Sequence, residues 1–373
     1  MKIIQLVTSR KFRGAEISAK LLSERLISYG HEVWFVGLYL NENMDVLSVN
    51  GGVNLDLSKR KKGGIDFNLL FEFKQIVNKV RPDIIQANGS DTFKYASLGL
   101  FGNNKPKLVY RNISIMSHWI RARVLVKSFY MILAKRVDCF VSVGQLASDD
   151  LQVLLQLPPD KFFVVKRGIV AESVDKIKSR ADLVEKYSIQ SNDFILIQLG
   201  SLSKEKRIDF SLELVRKLKE GNKAIKLLVV GDGPERKRLK KKVENLKIDQ
   251  EVIFTKSINN PQNYLAGADL LLMTSEIEGV PGVVIEAGFQ KTPSLGVNVG
   301  GVREVIIQEK TGVLMDSHSI SSFEESISDL MINKEKLLEL GENAQSFAKQ
   351  NHDIDTNSRK FETLYFKLLN STD

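Results

Sequence analysis

Two glutamates eight residues apart, Glu278 and Glu286, have the surroundings in this chain that best suit binding or catalysis. The apolar run before Glu278 predicts a buried strand that ends near Thr274, and a Gly/Pro-rich loop follows it. A helix is predicted to begin around Gly282, which places Glu286 about one turn inside it. The free N–H groups at such a helix N-terminus favour a phosphate. A carboxylate that accepts two vicinal hydroxyls, beside amides that face a diphosphate, describes a nucleotide-sugar site.

The elements that must position these residues alternate along the whole chain as short apolar runs and longer amphipathic segments. Near-continuous apolar runs predict strands that are buried on both faces, as in parallel sheets covered by helices. In the first half the predicted strands are Lys2–Val7, Glu32–Leu38, Asp83–Ala87, Lys107–Tyr110, Cys139–Val143 and Phe162–Lys166. In the second half they are Phe194–Leu199, Lys226–Gly231, Glu251–Thr255, Leu270–Thr274 and Pro293–Gly296. Two such sets predict two doubly wound α/β domains, with ligands at the carboxyl ends of the strands and in the cleft between the domains.

The predicted domain boundary lies between Arg167 and Leu183, where a strand leads into a polar stretch. We therefore predict an N-terminal domain over residues 1–168 and a C-terminal domain over residues 169–353. Residues 354–373 are predicted to form a C-terminal helix that docks back on the N-terminal domain. The predicted helices of the first half include Ala15–Tyr29, Leu69–Lys79 and Ser117–Arg136.

The pattern around the two glutamates resembles the E-x7-E motif of retaining glycosyltransferases of family 4, which have the GT-B fold of two Rossmann-like domains facing a central cleft. Further segments match that family in the right order along nearly the whole chain: Gly14-Ala15-Glu16, Arg81 to Ile85, Gly200 to Lys206, Gly231 to Pro234 and Gly300 to Glu304. The resemblance implies a retaining hexosyltransferase without a cofactor. Its donor would be a nucleotide diphosphate sugar, UDP- or GDP-linked.

The resemblance also implies roles for individual residues. Glu286 would bind the donor ribose, and Glu278 would face the donor sugar and the phosphates. Lys206 would neutralise the diphosphate as the sugar–phosphate bond breaks. Gly14, which has no side chain, would let the backbone approach the phosphate or the acceptor.

The remaining donor-binding candidates include one departure from the family's pattern. Ser201 stands where an Arg usually follows Gly200, and Arg207 is the candidate for a second positive charge beside Lys206. The complete set of further donor-binding candidates is Ser201, Arg207, Gly231, Gly279, Val280, Pro281, Gly282 and Val283.

Two more departures concern the acceptor side. Arg111, followed by Asn112, stands where many members have a His or an Asp, and His118 lies seven residues further on. Arg111 and His118 are the catalytic candidates there, although a lone histidine is more often structural. Arg167-Gly168 stands where Asn-Gly is common. We expect donor cleavage to follow the family, while the group that activates the acceptor stays open.

The positive charge of the chain is concentrated in its first half. Residues 1–170 contain 25 Lys and Arg against 14 Asp and Glu, a net charge of +11, whereas the rest contains 29 against 31, a net charge of −2. This asymmetry predicts a nucleic acid, a membrane surface or an anionic substrate as partner, against the alternative of a merely solvated basic face. No nucleic-acid recognition module is apparent, which argues against nucleic acid.

The segment His118–Arg136 mixes aromatic, aliphatic and basic residues, as a helix in a membrane interface does. Trp119, Arg121, Arg123 and Lys127 are therefore predicted to contact an anionic membrane or the acceptor. Packing of the apolar side on the sheet explains the same pattern, and both can hold. A second cationic segment is the loop over residues 59–64.

Composition excludes several other classes. The single cysteine, Cys139, cannot form an internal disulfide, which indicates a reducing compartment. The sequence has no uncharged apolar stretch of about 18 residues, so no membrane span is predicted. The apolar run Lys2–Val7 is too short to be a secretory signal. Gly231-x-Gly233 has Arg236 where the dinucleotide fingerprint needs a third glycine, which argues against a nicotinamide enzyme.

A metal site is not predicted. The four histidines, at positions 31, 118, 318 and 352, have no metal-ligand spacing. The Asp-x-Asp sequence Asp353-Ile354-Asp355 lies in a polar stretch and not after an apolar strand.

Together these patterns predict a cytoplasmic enzyme, peripheral at the inner face of the plasma membrane. It would transfer a sugar to a hydroxyl of a glycan or lipid-linked acceptor in the synthesis of a surface polysaccharide such as lipopolysaccharide or capsule. Domain 1–168 would bind the acceptor and domain 169–353 the donor. Two alternatives stay open: a nucleotide-sugar epimerase on the same fold, and a non-catalytic partner in a polysaccharide assembly complex.

Overall fold

The computed structural model describes residues 1–40, 46–58, 64–102, 106–120, 124–170, 172, 174–258 and 260–371, without the side chains of residues 118, 119 and 124. The chain divides into two compact units. The N-terminal unit comprises Met1–Ile169 and Asp353–Asp373, and the C-terminal unit comprises Val170–His352.

The N-terminal unit is built on a seven-stranded parallel sheet with the order β3-β2-β1-β4-β5-β6-β7. Its strands are β1 (Lys2–Ser9), β2 (Glu32–Tyr39), β3 (Val53–Ser58), β4 (Ile84–Asn88), β5 (Lys107–Asn112), β6 (Cys139–Ser142) and β7 (Phe162–Val164). Its first six helices are α1 (Gly14–Ser28), α2 (Phe67–Val80), α3 (Ser90–Gly99), α4 (Ser117–Ile120), α5 (Val124–Ala134) and α6 (Gln145–Leu155).

The C-terminal unit is built on a six-stranded parallel sheet with the order β10-β9-β8-β11-β12-β13. Its strands are β8 (Phe194–Leu199), β9 (Ile225–Val230), β10 (Val252–Phe254), β11 (Leu270–Met273), β12 (Ser294–Val297) and β13 (Gly312–Met315). Its helices are α7 (Lys176–Tyr187), α8 (Ile208–Glu220), α9 (Arg236–Leu246), α10 (Pro261–Gly267), α11 (Gly282–Phe289), α12 (Ile320–Ile332) and α13 (Lys334–His352). The last helix, α14 (Ile354–Asn370), belongs to the N-terminal unit.

The buried strands explain why the core forms on both faces of each sheet. In β1, Ile4 and Leu6 belong to one hydrophobic cluster, while Ile3, the residue before Ile4, belongs to another on the opposite face. Successive side chains of a strand point to opposite faces, so a continuous apolar run fills two layers at once. The predicted architecture of two Rossmann-like α/β domains is confirmed.

The C-terminal helix α14 covers one face of the N-terminal sheet. Phe361, Leu364 and Tyr365 pack with residues of β1, β4, β5 and β6. Tyr365 Oη also donates a 2.6 Å hydrogen bond to Gln86 Oε1 in the buried centre of the sheet. Burial of both groups makes this bond costly to lose, because neither would find water.

Three elements of the structure differ from what the sequence predicts. Val53–Ser58 and Gly312–Met315 were not predicted as strands, yet they form β3 and β13. Both lie at the edge of a sheet, as do β7 and β10, which were predicted, so edge position alone does not explain the omission. In β3, apolar and polar residues alternate and no position is fully buried, so the strand lacks a continuous apolar run. Ser117–Arg136, predicted as one helix, contains two helices, α4 and α5, on either side of residues 121–123.

Candidate functional site

The strand order of the C-terminal sheet reverses between β8 and β11, which are neighbours although β9 and β10 separate them in the chain. The loops that follow these two strands lead to opposite sides of the sheet, so a crevice opens at their carboxyl ends, where open α/β sheets bind ligands. Lys206 ends a short 3-10 turn, Lys204–Lys206, that follows β8. Glu278 lies in the loop that follows β11. The topology thus brings two residues from distant parts of the chain to one place.

Lys206 and Glu278 form a close ion pair. Lys206 Nζ lies 2.5 Å from Glu278 Oε1, and the two side chains keep 27% and 11% of their exposure. Both groups are therefore mostly withdrawn from water but still accessible. A partly buried cation at the strand ends suits a site that must receive a negative charge.

Two buried polar residues, Gln198 and Thr274, hold the turn that carries Lys206. Thr274 Oγ1 donates to the backbone oxygen of Lys206 at 3.0 Å, and Gln198 Nε2 donates to the same oxygen at 3.1 Å. Gln198 Nε2 also donates to Thr274 Oγ1 at 2.8 Å. Neither residue was predicted from the sequence to belong to the site. The signal was present for Gln198, since it is the polar residue in the otherwise apolar strand Phe194–Leu199.

His318 supports the same strand end from a different part of the chain. Its Nε2 lies 2.8 Å from the backbone oxygen of Thr274, and its ring packs edge-on against Phe210 with the centroids 5.2 Å apart. In the sequence His318 is one of four scattered histidines without metal-ligand spacing. The contacts give it a structural role beside the candidate site.

A glycine pair on a neighbouring loop sets the position of Glu278. Gly300, at φ +52°, begins a 3-10 turn after β12, and a Cβ built on it would lie 1.9 Å from the backbone oxygen of Glu278. Gly301 N donates to the backbone oxygen of Gly279 at 3.0 Å. The two loops thus touch backbone to backbone, and side chains at Gly300 would force them apart.

Helix α11 begins at Gly282 beside this loop, with Pro281 as its N-cap. Pro281 has no polar side chain and makes no capping hydrogen bond, so the N-cap residue does not satisfy the N–H groups of the first turn. Gly279, Val280, Gly282 and Val283 are partly exposed, whereas Pro281 is buried. These amides and the positive end of the helix dipole can receive an anion.

Glu286 lies on the second turn of α11 and is partly exposed. Its place next to the uncapped N-terminus means that a carboxylate and several amide donors belong to the same short element. A carboxylate accepts hydrogen bonds only, so it suits a ligand's hydroxyl groups and not its phosphates.

The loops after β8 and β9 also meet backbone to backbone. Gly231 has φ +138°, and a Cβ built on it would lie 1.9 Å from the backbone oxygen of Gly200. Ser201 is exposed, and its Oγ lies 3.1 Å from Ser203 Oγ. Gly231 therefore shapes the site through its lack of a side chain, while Ser201 contacts its own loop.

Arg207 forms ion pairs with two nearby carboxylates. Its NH1 donates to Glu276 Oε1 at 2.6 Å, and its Nε lies 3.5 Å from Asp209 Oδ1. With 30% of its side chain exposed, Arg207 lies next to Lys206 in the chain but pairs with different groups.

Arg236, where a dinucleotide fingerprint would have its third glycine, has a clear structural task. Its NH1 donates to the backbone oxygens of Gly231 and Thr255 at 2.9 and 2.7 Å. A large side chain fills the position at which close helix–sheet contact would need a glycine.

Arg111, Gly14 and Arg167 lie together in the N-terminal unit. Arg111 is 2% exposed on β5, and its NH2 donates to Ser18 Oγ on α1 at 2.8 Å. Gly14 begins α1, and a Cβ built on it would lie 3.3 Å from Arg167 NH1. Burial, and secondarily the nearby charge of Arg167, lowers the pKa of Arg111 to about 10. Arg111 therefore still carries its proton near neutral pH.

The predicted membrane or acceptor residues are only partly described. Arg121 and Arg123 lie outside the described residues, as do the side chains of His118 and Trp119 and residues 59–63 of the basic loop. Lys127 is partly exposed on α5. Arg136, at the end of the predicted interfacial helix, is buried and donates to the backbone oxygens of Leu100 and Pro106, so it does not face a lipid surface.

The described part of the chain contains neither a metal cluster nor a membrane-spanning helix. Within it, no three His, Cys, Asp or Glu side chains are grouped to hold a metal ion. None of its helices has the length and apolar character needed to cross a bilayer.

Two family models match the chain in succession. Residues 12–173 match the model described as Glycosyltransferase Family 4, and residues 179–347 match the model described as Glycosyl transferases group 1. Together they extend over both units.

Among curated proteins, the chain is similar to the N-acetyl-alpha-D-glucosaminyl L-malate synthase of Bacillus anthracis, with 29% identity over 211 residues. This alignment covers 57% of the chain and 55% of the relative. The chain thus spans about half the length of the first curated relatives it matches. It is also 22% identical to an Escherichia coli UDP-Gal:alpha-D-GlcNAc-diphosphoundecaprenol alpha-1,3-galactosyltransferase, over 69% of the chain and 68% of that protein.

Among solved structures, Anabaena Alr3699/HepE in complex with UDP superposes with a TM-score of 0.83 at 18% identity, covering 98% of this chain and 100% of that one. WaaG, a glycosyltransferase involved in lipopolysaccharide biosynthesis, superposes with a TM-score of 0.76 at 18% identity, covering 97% and 99%. At such low identity these likenesses establish the fold.

Proposed function

Because the chain belongs to the GT-B glycosyltransferases of the family 4 type, we propose that it transfers a hexosyl group from a UDP- or GDP-sugar with retention at C1. The acceptor is a hydroxyl of a glycan or lipid-linked molecule in surface-polysaccharide synthesis. The observation that carries the proposal is the Lys206–Glu278 pair at 2.5 Å, at the point where the strand order reverses.

Binding of the donor follows from the charges of the C-terminal unit. The uncapped N-terminus of α11 receives the diphosphate, and Glu286 on the next turn accepts hydrogen bonds from the ribose hydroxyls. Lys206 contributes a partly desolvated cation to the same phosphates. In support, Alr3699/HepE, which shares the fold, has been solved in complexes with UDP and with UDP-glucose.

In the proposed chemical step, the bond between sugar C1 and the diphosphate oxygen breaks while C1 forms a bond to the acceptor oxygen on the same face. The acceptor proton passes to a phosphate oxygen of the leaving nucleoside diphosphate. Lys206 stabilises the negative charge that develops on this leaving group, and no metal ion is required. Glu278 holds Lys206 in place before the donor arrives and then faces the sugar.

The first test is donor binding followed by transfer. A thermal-shift screen of UDP-, GDP- and ADP-sugars identifies the donor, and stabilisation by none of them contradicts the proposal. Lys206→Ala and Glu286→Ala are expected to abolish this stabilisation and transfer. Lys204→Ala, on the same turn but exposed, and Glu339→Gln, exposed on α13, are matched controls that keep both. Conversion of the donor without any acceptor would instead support an epimerase.

The cellular location belongs to the same proposal: a cytoplasmic enzyme held at the inner face of the plasma membrane. In support, α5 exposes Leu125 (86%) and Ile132 (53%) beside the partly exposed Lys127. Apolar side chains next to basic ones suit the interface of an anionic membrane. A lipid-linked acceptor is part of the name of one relative, the UDP-Gal:alpha-D-GlcNAc-diphosphoundecaprenol alpha-1,3-galactosyltransferase.

Vesicle sedimentation tests the membrane contact. Neutralising Arg121, Arg123 and Lys127 together is expected to weaken binding to phosphatidylglycerol vesicles and to leave nucleotide binding unchanged. The matched control neutralises three exposed lysines of the C-terminal unit, Lys217, Lys334 and Lys349. Equal binding by both triple variants contradicts the proposed surface.

A further inference from the structure

Arg111 has hydrogen-bonding capacity that the described part of the protein does not use. Its guanidinium is buried in the N-terminal unit, and NH2 donates to Ser18 Oγ at 2.8 Å. Nε and NH1 are also buried, and among the described residues neither has a hydrogen-bond partner. Leaving buried donors of a charged group unpaired is unfavourable, so such an arrangement calls for a ligand.

The charges around Arg111 also favour an anionic ligand. The groups that act on its pKa are Arg167, which lowers it, and the Tyr365 hydroxyl, which raises it, and no carboxylate is among them. Glu16, the acidic residue of the first turn of α1, is paired with Arg13 at 2.7 Å. Two guanidiniums therefore lie near each other, and within the described part of the chain no acidic side chain acts on the pKa of Arg111.

The N-terminus of α1 adds donors at the same place. Arg13 is the N-cap residue and its side chain makes no capping hydrogen bond. The guanidinium of Arg167 lies against Gly14, the first residue of the helix, and that of Arg111 contacts Ser18 one turn further on. The positive end of the helix dipole thus lies near two guanidiniums, of which Arg111 has unused donors that an anion could bind.

We propose that Arg111, Arg167 and the first turn of α1 form a binding site for a carboxylate or phosphate group carried by the acceptor. A guanidinium presents a planar fork of N–H donors that matches both groups. Identification of the ligand as the acceptor rests on the proposed function, whereas the site itself rests on the contacts of the N-terminal unit. Arg111 is then a specificity-determining residue that selects acidic acceptors, and it takes no part in proton transfer.

Arg111 also lies over the ring of Phe361 on α14, with 5.4 Å between Cζ and the ring centroid. Its replacement therefore alters packing as well as charge, and the experiment must separate the two effects. Arg136 provides the matched control, because it is equally a buried arginine of this unit but donates to Leu100 O and Pro106 O and pairs with Asp138 at 3.0 Å.

The experiment uses the full chain, with inorganic phosphate and succinate as anions and glycerol as the neutral probe. Affinity is measured by calorimetry, and each variant is compared with its own ligand-free melting temperature. We expect Arg111→Met to weaken anion binding about tenfold to a hundredfold, the loss of a charge-assisted pair of hydrogen bonds. Arg111→Lys recovers part of it, and Arg136→Met, though destabilised, keeps the wild-type affinity.

Phosphate bound at the donor site is distinguished by Lys206→Ala, which is expected to leave anion binding to the N-terminal unit intact. Anion affinity that is equal in Arg111→Met and wild type, or absent from the wild type, overturns the site. If nucleotides fail to bind but phosphate still requires Arg111, the proposed function fails and the site stands.

The two sources of such an anion are separated with lipid vesicles. Competition between phosphate and phosphatidic acid vesicles, lost in Arg111→Met, assigns the group to a lipid headgroup. Binding of phosphate without such competition assigns it to a soluble acceptor.

Discussion

Replacing Gly300 with alanine tests whether the glycine turn after β12 positions Glu278. Gly300 has φ +52°, and a Cβ at this residue would lie 1.9 Å from the backbone oxygen of Glu278, where real Cβ contacts are not found below 3.0 Å. The neighbouring atom belongs to the backbone, so rotation of a side chain cannot relieve the contact. The loop that carries Glu278 must move by about 1 Å.

Two costs follow from this geometry. Alanine in the left-handed region costs about 1 kcal/mol, and forcing two packed segments apart costs about 1–3 kcal/mol. We therefore expect Gly300→Ala to lower the free energy of unfolding by about 2–4 kcal/mol. A displacement of about 1 Å at a binding group can cost about a hundredfold in activity, so donor affinity and transfer should fall by about tenfold to a hundredfold.

Gly30→Ala is the matched control. Gly30 has φ +89°, but nothing lies within 4 Å of a Cβ built on it, so this variant carries backbone strain without a clash. Urea unfolding measures stability and calorimetry with the identified donor measures binding. We expect Gly30→Ala to lose stability and to keep wild-type donor affinity. Wild-type affinity in Gly300→Ala would refute the idea that this turn sets the position of Glu278.

Three further variants test other parts of the structure. Thr274→Val removes the 3.0 Å hydrogen bond to Lys206 O, so we expect it to lower the free energy of unfolding in urea by about 1–2 kcal/mol and also to weaken donor binding. The control Thr292→Val loses a 2.7 Å hydrogen bond to the backbone oxygen of Leu265 and is expected to lower stability alone. Tyr365→Phe should lower the free energy of unfolding by about 1–2 kcal/mol without changing nucleotide binding, because Gln86 Oε1 loses its 2.6 Å donor; unchanged stability would show that this bond is dispensable. Burial raises the pKa of Glu16 although the nearby charge of Arg13 lowers it. The free energy of unfolding of the wild type should therefore fall, relative to that of Glu16→Gln, as the pH rises from about 4.5 through the raised pKa. Parallel curves of stability against pH for the two proteins would contradict this.

The local patterns of the chain were sufficient for most of the fold. Apolar runs such as Phe194–Leu199 predicted the buried strands, because a strand covered on both faces must be apolar at nearly every position. The start of α11 at Gly282 was predicted as well, since a Gly/Pro loop before an apolar helical stretch marks a helix N-terminus. Strand β3 could not be predicted this way, because its apolar and polar residues alternate and leave no continuous apolar run.

The sequence by itself determined which residue types stand at the strand ends: Glu278 was identified as a candidate from its flanking elements, and Lys206 from the resemblance to family 4. Only the tertiary structure decided that these two form a 2.5 Å ion pair, that Gln198 and Thr274 hold the turn of Lys206, and that Arg111 lies buried. The physical reason is the order of the strands. Adjacency of β8 and β11, and of β5 with its neighbours, depends on non-local packing, and this packing decides which side chains meet and which charges are removed from water.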